Sequence, residues 1–352
     1  MKISSTILGK TCITSALALM LGAAHGNLAA KQIADQALSK GQFNLDLSHI
    51  SLSGLSSGGY MATQFELAHS DWVSGVGIIA AGPYYCAQNS IQTALNQCVN
   101  QLNSPISLDI LNSKVIQWQE AGKLPPLSNL QQHKVWLLSG TLDTRVLPQV
   151  NQALFTQYQH WVKAENIVYI TDKPFAHLFP TLNSGSKCDV SEAPFIGNCD
   201  YDAAGEMLNF IYGELNQRNE TQNGQLVEID QHELGGKPAQ SLADKGYLYV
   251  PKSCQEGGSC TVHVSFHGCN QNANAIGDAY ATQTGLNNWA DTNQMVVLYP
   301  QTKSSMMMPL NPQGCWDWWG YTGDDYANQH GEQIKAVKQI IHALAKQETQ
   351  HD

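Results

Sequence analysis

Ile50-Ser-Leu-Ser-Gly54-Leu-Ser56-Ser-Gly58-Gly-Tyr-Met-Ala62 decides how the rest of the chain is read. Ile50 to Ser53 reads as a short strand, and Gly59 to His69 as a helix. Between them, Gly54-Leu-Ser56-Ser-Gly58 fits the pattern Gly-x-Ser-x-Gly. In that pattern a strand turns so sharply into a helix that the flanking positions need glycine. The serine is held proud of the sheet at a helix N-terminus, where free N–H groups and the helix dipole favour a developing negative charge. Ser56 is therefore the candidate nucleophile. The bland alternative is an ordinary Gly/Ser turn.

A serine hydroxyl needs a base, and the base needs an orienting acid. In folds built on this turn the acid follows the serine along the chain, and the histidine follows the acid. Lys134 to Ser139 (KVWLLS) reads as a buried strand and runs into Gly140-Thr-Leu-Asp143. Pro148 to Ala164 reads as a helix with proline in its first turn. Asn166 to Ile170 is a further strand, followed by Phe175-Ala-His177. Three strand ends thus present Ser56, Asp143 and His177 on one rim. Taken singly, such an aspartate is more often a turn or cap residue, and such a histidine is usually structural. His267, Asp317, Asp324 and His330 lie in other contexts.

An oxyanion hole requires two backbone N–H groups. Ser57, the residue after the nucleophile, supplies one. The second ordinarily comes from a His-Gly loop that follows an earlier strand, yet no such motif precedes Ser56. One occurs far downstream, at Thr261-Val-His-Val-Ser-Phe-His267-Gly-Cys269. Moving the block 225–300 to the front restores the ordinary order of parts, and the helix Gln333 to Leu344 then leads into the elbow strand. This predicts a circular permutation and makes the Cys269 N–H the second oxyanion donor. The competing reading is a disulfide-bearing turn.

Further strands are expected at Trp72–Ala81, Gln225–Ile229, Gly246–Val250 and Met295–Pro300, with helices near Leu108–Glu120, Ala203–Tyr212 and Gly285–Asp291. Strands alternating with helices predict an α/β fold with a mainly parallel central sheet. The polar run 215–224 is a connection within one catalytic domain spanning residues 27–352. The aromatic run Cys315-Trp316-Asp-Trp318-Trp319-Gly-Tyr321 would form either core packing or a flat substrate-binding wall. Met306-Met-Met-Pro-Leu310 could add adaptable apolar surface.

The chain has 352 residues, a formal charge of -10 and only 14% charged residues, against a usual level of about 25%. An acidic chain without a Lys/Arg cluster is a poor binder of nucleic acid or anionic lipid. Lys2 and Lys10, the apolar run Thr11 to Ala24 and the small residues after it read as a signal peptide over 1–26, cleaved after Ala24, Gly26 or Ala30. That run is short for a membrane span, so no membrane insertion is expected once it is removed. Cys12 lies inside it. The other eight cysteines suit an oxidising compartment but allow 105 pairings. Sequence proximity favours Cys86–Cys98, Cys188–Cys199 and Cys254–Cys260, leaving Cys269–Cys315. A zinc site is the weaker rival, since no Cys-x2-Cys or His-x3-His pair is present.

With these segments in place, the chain resembles the extracellular poly(3-hydroxybutyrate) depolymerases, in particular their single-domain, circularly permuted α/β-hydrolase type. The resemblance runs from about Leu45 to Leu344. It rests on Leu52 to Ala62, Ser139-Gly-Thr-Leu-Asp143, Ala176-His-Leu-Phe-Pro-Thr181, Ser265-Phe-His-Gly-Cys-Asn270 and Cys315-Trp-Asp-Trp-Trp-Gly320. It implies hydrolysis of ester bonds in a water-insoluble polyester or its oligomers, with Ser56 as nucleophile, Asp143 as acid, His177 as base and Cys269 as an oxyanion donor; the signal peptide and the cysteines predict secretion out of the cell, with the periplasm as the alternative. It implies no metal or organic cofactor. Two other functions stay open at this point: an esterase acting on feruloyl or acetyl groups of carbohydrate, and a non-catalytic binding protein on a hydrolase scaffold.

Overall fold

The computed structural model describes residues 42–100 and 104–345; the expected signal peptide lies outside them. The main sheet has eight strands: β1 (Ile50–Leu55), β2 (Val73–Ile79), β3 (Lys134–Leu138), β4 (Ile167–Ile170), β8 (Gln225–Asp230), β9 (Lys245–Val250), β10 (Thr261–Phe266) and β11 (Met295–Tyr299). Their order across the sheet is β4-β3-β2-β1-β10-β11-β9-β8. All neighbours are parallel except β9, which runs antiparallel to both β11 and β8. A small second sheet, β5 (Phe179–Thr181), β6 (Ser186–Lys187) and β7 (Ile196–Asn198), follows β4.

Taken from β8 onward, the strands lie in the order first, second, fourth, third, then fifth to eighth, with only the second reversed. This is the α/β-hydrolase sheet entered at its fifth strand. The chain ends close the seam: Phe43 pairs with Ala345, and Leu45 with Cys260.

Five longer helices flank the sheet: α1 (Ser57–Ala68), α2 (Leu108–Glu120), α3 (Pro148–Tyr158), α4 (Ala203–Tyr212) and α5 (Glu332–Leu344). On one face α1, α3 and α5 pack a core with Leu52, Val76, Ile78 and Val264. On the other, α4 and the short helices 279–283 and 286–290 pack against Ile79, Trp136 and Val297. Helix α5 buries Ile334, Val337, Ile340, Ile341 and Leu344 at helical spacing. Every residue of β1 and of α1 is buried, so the elbow sits between two fully buried elements. Proline at the first position of α3 costs nothing there, because that N–H has no helical partner.

Polar side chains bind β1 to β10 beneath the elbow. Ser51 and Ser53 engage the two ring nitrogens of the buried His263 at 2.7 and 2.8 Å. Ser53 also donates to Ser265 at 3.0 Å, Ser265 meets the Tyr280 hydroxyl at 3.1 Å, and the Tyr212 hydroxyl donates to Ser51. Burial lowers His263 to about 3, so the ring is neutral and the ladder carries no charge into the core. The run 215–224 is tied down rather than free: Asn219 and Gly224 N–H groups donate to the Asn288 carbonyl and the Asp291 carboxylate.

Candidate active site

The elbow leaves β1 at Ser56, whose backbone has φ 58 and ψ −123. Such a left-handed conformation is strained for a non-glycine residue. The turn is fixed on both sides, with the Ser56 amide donating to the Ile79 carbonyl at 2.9 Å and its carbonyl accepting from Tyr60 at 3.0 Å. The glycines are required by space. A Cβ on Gly54 would lie 2.1 Å from the Gly58 carbonyl oxygen, and one on Gly58 would lie 2.0 Å from that of Phe266.

Asp143 and His177 lie beyond the carboxyl ends of β3 and β4. His177 Nδ1 donates to Asp143 Oδ2 at 2.8 Å, with both residues buried. The other carboxylate oxygen accepts from the Arg145 and Val146 amides at 2.8 and 3.0 Å. An aspartate held this way fixes the imidazole tautomer and leaves Nε2 to work as a base. The two loops are also braced against each other, since Arg145 donates to Ser191, and Ser191 donates to the His177 carbonyl.

Ser56 and His177 line one cleft of about 130 Å³ together with Gly268, Cys269 and Trp318. Leu95, Val99 and Phe195 add apolar wall, and among the described residues Arg145 is the only lysine, arginine or carboxylate in the lining, which suits an uncharged ester. Ser57 follows Ser56 at the first position of α1. Cys269 faces the elbow from the end of β10 and is tied to Cys315 by a disulfide. The other three bridges join the cysteine pairs favoured by sequence proximity, which leaves the zinc reading no free thiolate among the described residues.

The aromatic run divides. Trp318 lines the cleft and stacks on Tyr60, ring centroids 4.7 Å apart. Trp316 does not belong to a substrate wall: it is fully buried, packed on Phe266 and His267. Trp319 and Tyr321 do not line the cleft. The Tyr321 hydroxyl donates inward to the Cys315 carbonyl, and Trp319 packs on Trp318 and Tyr321. Asp317 is buried and accepts from the backbone of residues 319–322, so it shapes this loop rather than serving a base. The sequence reading missed Arg145, Gln271 and Gln313 in the cleft. Their proximity in the chain to Asp143, Cys269 and Cys315 was the available signal.

No family model matches the chain. Curated relatives do. A poly(3-hydroxybutyrate) depolymerase of Delftia acidovorans is 40% identical over 304 residues, 84% of this chain, which spans 60% of that protein's length. A polyhydroxybutyrate depolymerase of Talaromyces funiculosus is 39% identical over 332 residues, 89% of this chain and 95% of the relative. Among solved structures, the PHB depolymerase from Penicillium funiculosum superposes with a TM-score of 0.79 at 36% identity, covering 86% of this chain and 96% of that one. A serine-to-alanine PHB depolymerase complexed with an R3HB trimer matches with the same score and identity over 86% of this chain and 98% of its own. Similarity on this scale, over nearly the full length of the Talaromyces protein and of both solved structures, places the chain in the poly(3-hydroxybutyrate) depolymerase family of α/β-hydrolases.

Proposed function

We propose that this chain is a secreted serine esterase that hydrolyses poly(3-hydroxybutyrate), or a similar polyhydroxyalkanoate, through an acyl-enzyme on Ser56. The observation that carries the reading is the 2.8 Å bond between His177 and a doubly held Asp143, on the same cleft as a serine at a strained elbow. In the first half-reaction Ser56 Oγ attacks the ester carbonyl while His177 takes its proton. The oxyanion is received by the N–H groups of Ser57 and Cys269. Collapse expels the alcohol end of the chain, protonated by His177. Water then attacks the acyl-enzyme by the same route and releases the acid end.

A solid polymer must also be held. Met306, Met307 and Met308 are 78%, 79% and 89% exposed, and Leu310 is 52% exposed. They form the tip of a narrow loop whose stem is the Ser305–Asn311 pair, two residues short of the cleft residue Gln313. Leu95, also half exposed, stands in the cleft itself. Flexible thioether side chains adapt to an irregular apolar surface, so this rim can rest on the polyester while one chain enters the cleft. Four disulfides support an oxidising, extracellular setting, and no described helix is long and apolar enough to cross a membrane.

Clearing of a poly(3-hydroxybutyrate) suspension by the protein, measured beside Ser56→Ala, tests the reading. Clearing by the wild type alone is expected. Hydrolysis of a short p-nitrophenyl ester without clearing would move the substrate to a soluble or carbohydrate ester. Silence in both assays from a folded protein would overturn the esterase itself.

A further inference from the structure

Of the buried histidines that the mechanism leaves unused, His267 adjoins the cleft residue Gly268. His267 is fully buried against Trp316 and Tyr280, and it sits immediately before the peptide that carries the Cys269 N–H. Its Nδ1 lies 2.7 Å from the Gly268 carbonyl oxygen. A carbonyl can only accept, so Nδ1 carries the proton. The Thr302 amide, which can only donate, reaches Nε2 at 3.2 Å. The Thr302 hydroxyl, 3.3 Å from the same nitrogen, donates to the Gly314 carbonyl. Both neighbours therefore select a single neutral tautomer, and burial, which lowers this imidazole to about 4, keeps it uncharged.

The amide side of Gly268 is held as well. It donates to Gln271 Oε1 at 2.6 Å, while Gln271 Nε2 is anchored on the Pro194 and Phe195 carbonyls at 2.8 and 3.1 Å. In a trans peptide the C=O and the following N–H point in opposite directions. Pulling the Gly268 carbonyl toward His267 in the interior therefore turns the Cys269 N–H outward, toward the cleft shared with Ser56. The backbone there is close to the nucleophile, since a Cβ on Gly268 would lie 3.3 Å from Ser56 Cβ.

We propose that His267 and Gln271 are positioning residues that clamp Gly268 and thereby hold the Cys269 N–H in place as an oxyanion donor before substrate arrives. The proposal rests on the Ser56 esterase reading. It makes the His-Gly-Cys segment a device for transition-state stabilisation in which the imidazole never touches substrate. A preset donor lowers the barrier because no reorganisation is needed when the charge appears.

The test uses the whole protein and p-nitrophenyl butyrate. Losing one oxyanion donor elsewhere costs about 10²–10³ in kcat, so His267→Ala should lose about 10²-fold in kcat with KM little changed. His267→Asn places an amide N–H where Nδ1 stood and should recover most of that loss. His267→Gln is closer in volume but puts its amide at the Nε2 position, and should behave like alanine. A purely structural histidine would rank the variants the other way, with glutamine retaining more stability and more rate than asparagine; that ranking, or full kcat in all three, overturns the proposal. A folded wild type that neither turns over the ester nor reacts with a fluorophosphonate at Ser56 would instead overturn the esterase reading. Long-range 1H–15N spectra of the wild-type imidazoles add a check independent of variant folding: His267 is expected as the Nδ1–H tautomer, and the Nε2–H tautomer refutes the clamp.

Discussion

The amide of Phe43 donates to the carbonyl of Leu344 at 2.7 Å, so the segment that leads into the elbow strand leaves from the end of helix α5. In the unpermuted arrangement this helix would continue directly into β1. A variant in which a short Gly/Ser linker joins 344 to 43, with new ends opened in the polar run 215–224, should fold to the same sheet and keep its esterase activity. Circular dichroism and turnover of a soluble ester check it. An unfolded or inactive product would mean that the seam at Phe43 does more than close the fold.

Asp143→Asn retains the shape of the acid but cannot hold the His177 tautomer in the same way. A loss of about 10⁴-fold in kcat is expected by analogy with the same change in other serine triads. Thermal unfolding should move little. A residual rate within tenfold of wild type, which is about 1.4 kcal/mol, would remove Asp143 from the proposed triad.

Gly58→Ala should be severe for a different reason. The new methyl would meet the backbone carbonyl of Phe266 at 2.0 Å, and two central elements cannot both give way. Overpacking of this kind costs about 1–3 kcal/mol or more, and the shift of β10 should also displace Cys269. Denaturant unfolding and ester turnover should fall together. An unchanged midpoint would show that the elbow is looser than described.

Three buried histidines set the acid limit of stability. Burial lowers His69 and His263 to about 3 and His267 to about 4, from the usual 6.5. Between those values the unfolded chain binds protons that the folded chain refuses, so their contribution is intact above 6.5 and is lost as pH falls, toward 4 for His267 and toward 3 for His69 and His263. Each such group adds a slope of about 1.4 kcal/mol per pH unit within its window. Unfolding free energies across that range, measured in denaturant, should decline steadily. A flat profile would mean that the rings are protonated in the fold.

Replacing Met306, Met307 and Met308 by serine should separate adsorption from chemistry. Full burial of such a side chain is worth about 1.5–3 kcal/mol, so partitioning onto a polymer film should fall at least about tenfold. Turnover of a soluble ester should hold. Film binding equal to wild type would locate the adsorbing surface elsewhere.

Much of this site can be read in the sequence because its signals are local. A strand, two glycines and a serine define the elbow, and Asp143 and His177 each follow a strand in the expected order. The circular permutation was legible in the misplaced His-Gly segment, whereas the strand order across the sheet came from the structure. Burial was not legible in the same way. Trp316 and Trp318 look alike in a run of aromatics, and only the course of β10 beneath the first decides that it belongs to the core. The pairing of Ser51 and Ser53 with His263 was hidden too, because alternating serines ordinarily mark a solvent face and their partner lies more than 200 residues away. Strands β5 to β7 are two or three residues long, too short to carry a period.

The seam between β1 and β10, with its serine–histidine ladder, also sets an order of events during synthesis. The elbow strand leaves the ribosome some 210 residues before β10, which pairs with one of its two edges. Until then β1 has one unpaired edge, and contacts of such long sequence separation form late and slowly. A nascent or truncated chain therefore carries Ser56 without the proposed oxyanion donor on Cys269, so the proposed site is complete only when the last third of the polypeptide has been made and folded back into the middle of the sheet.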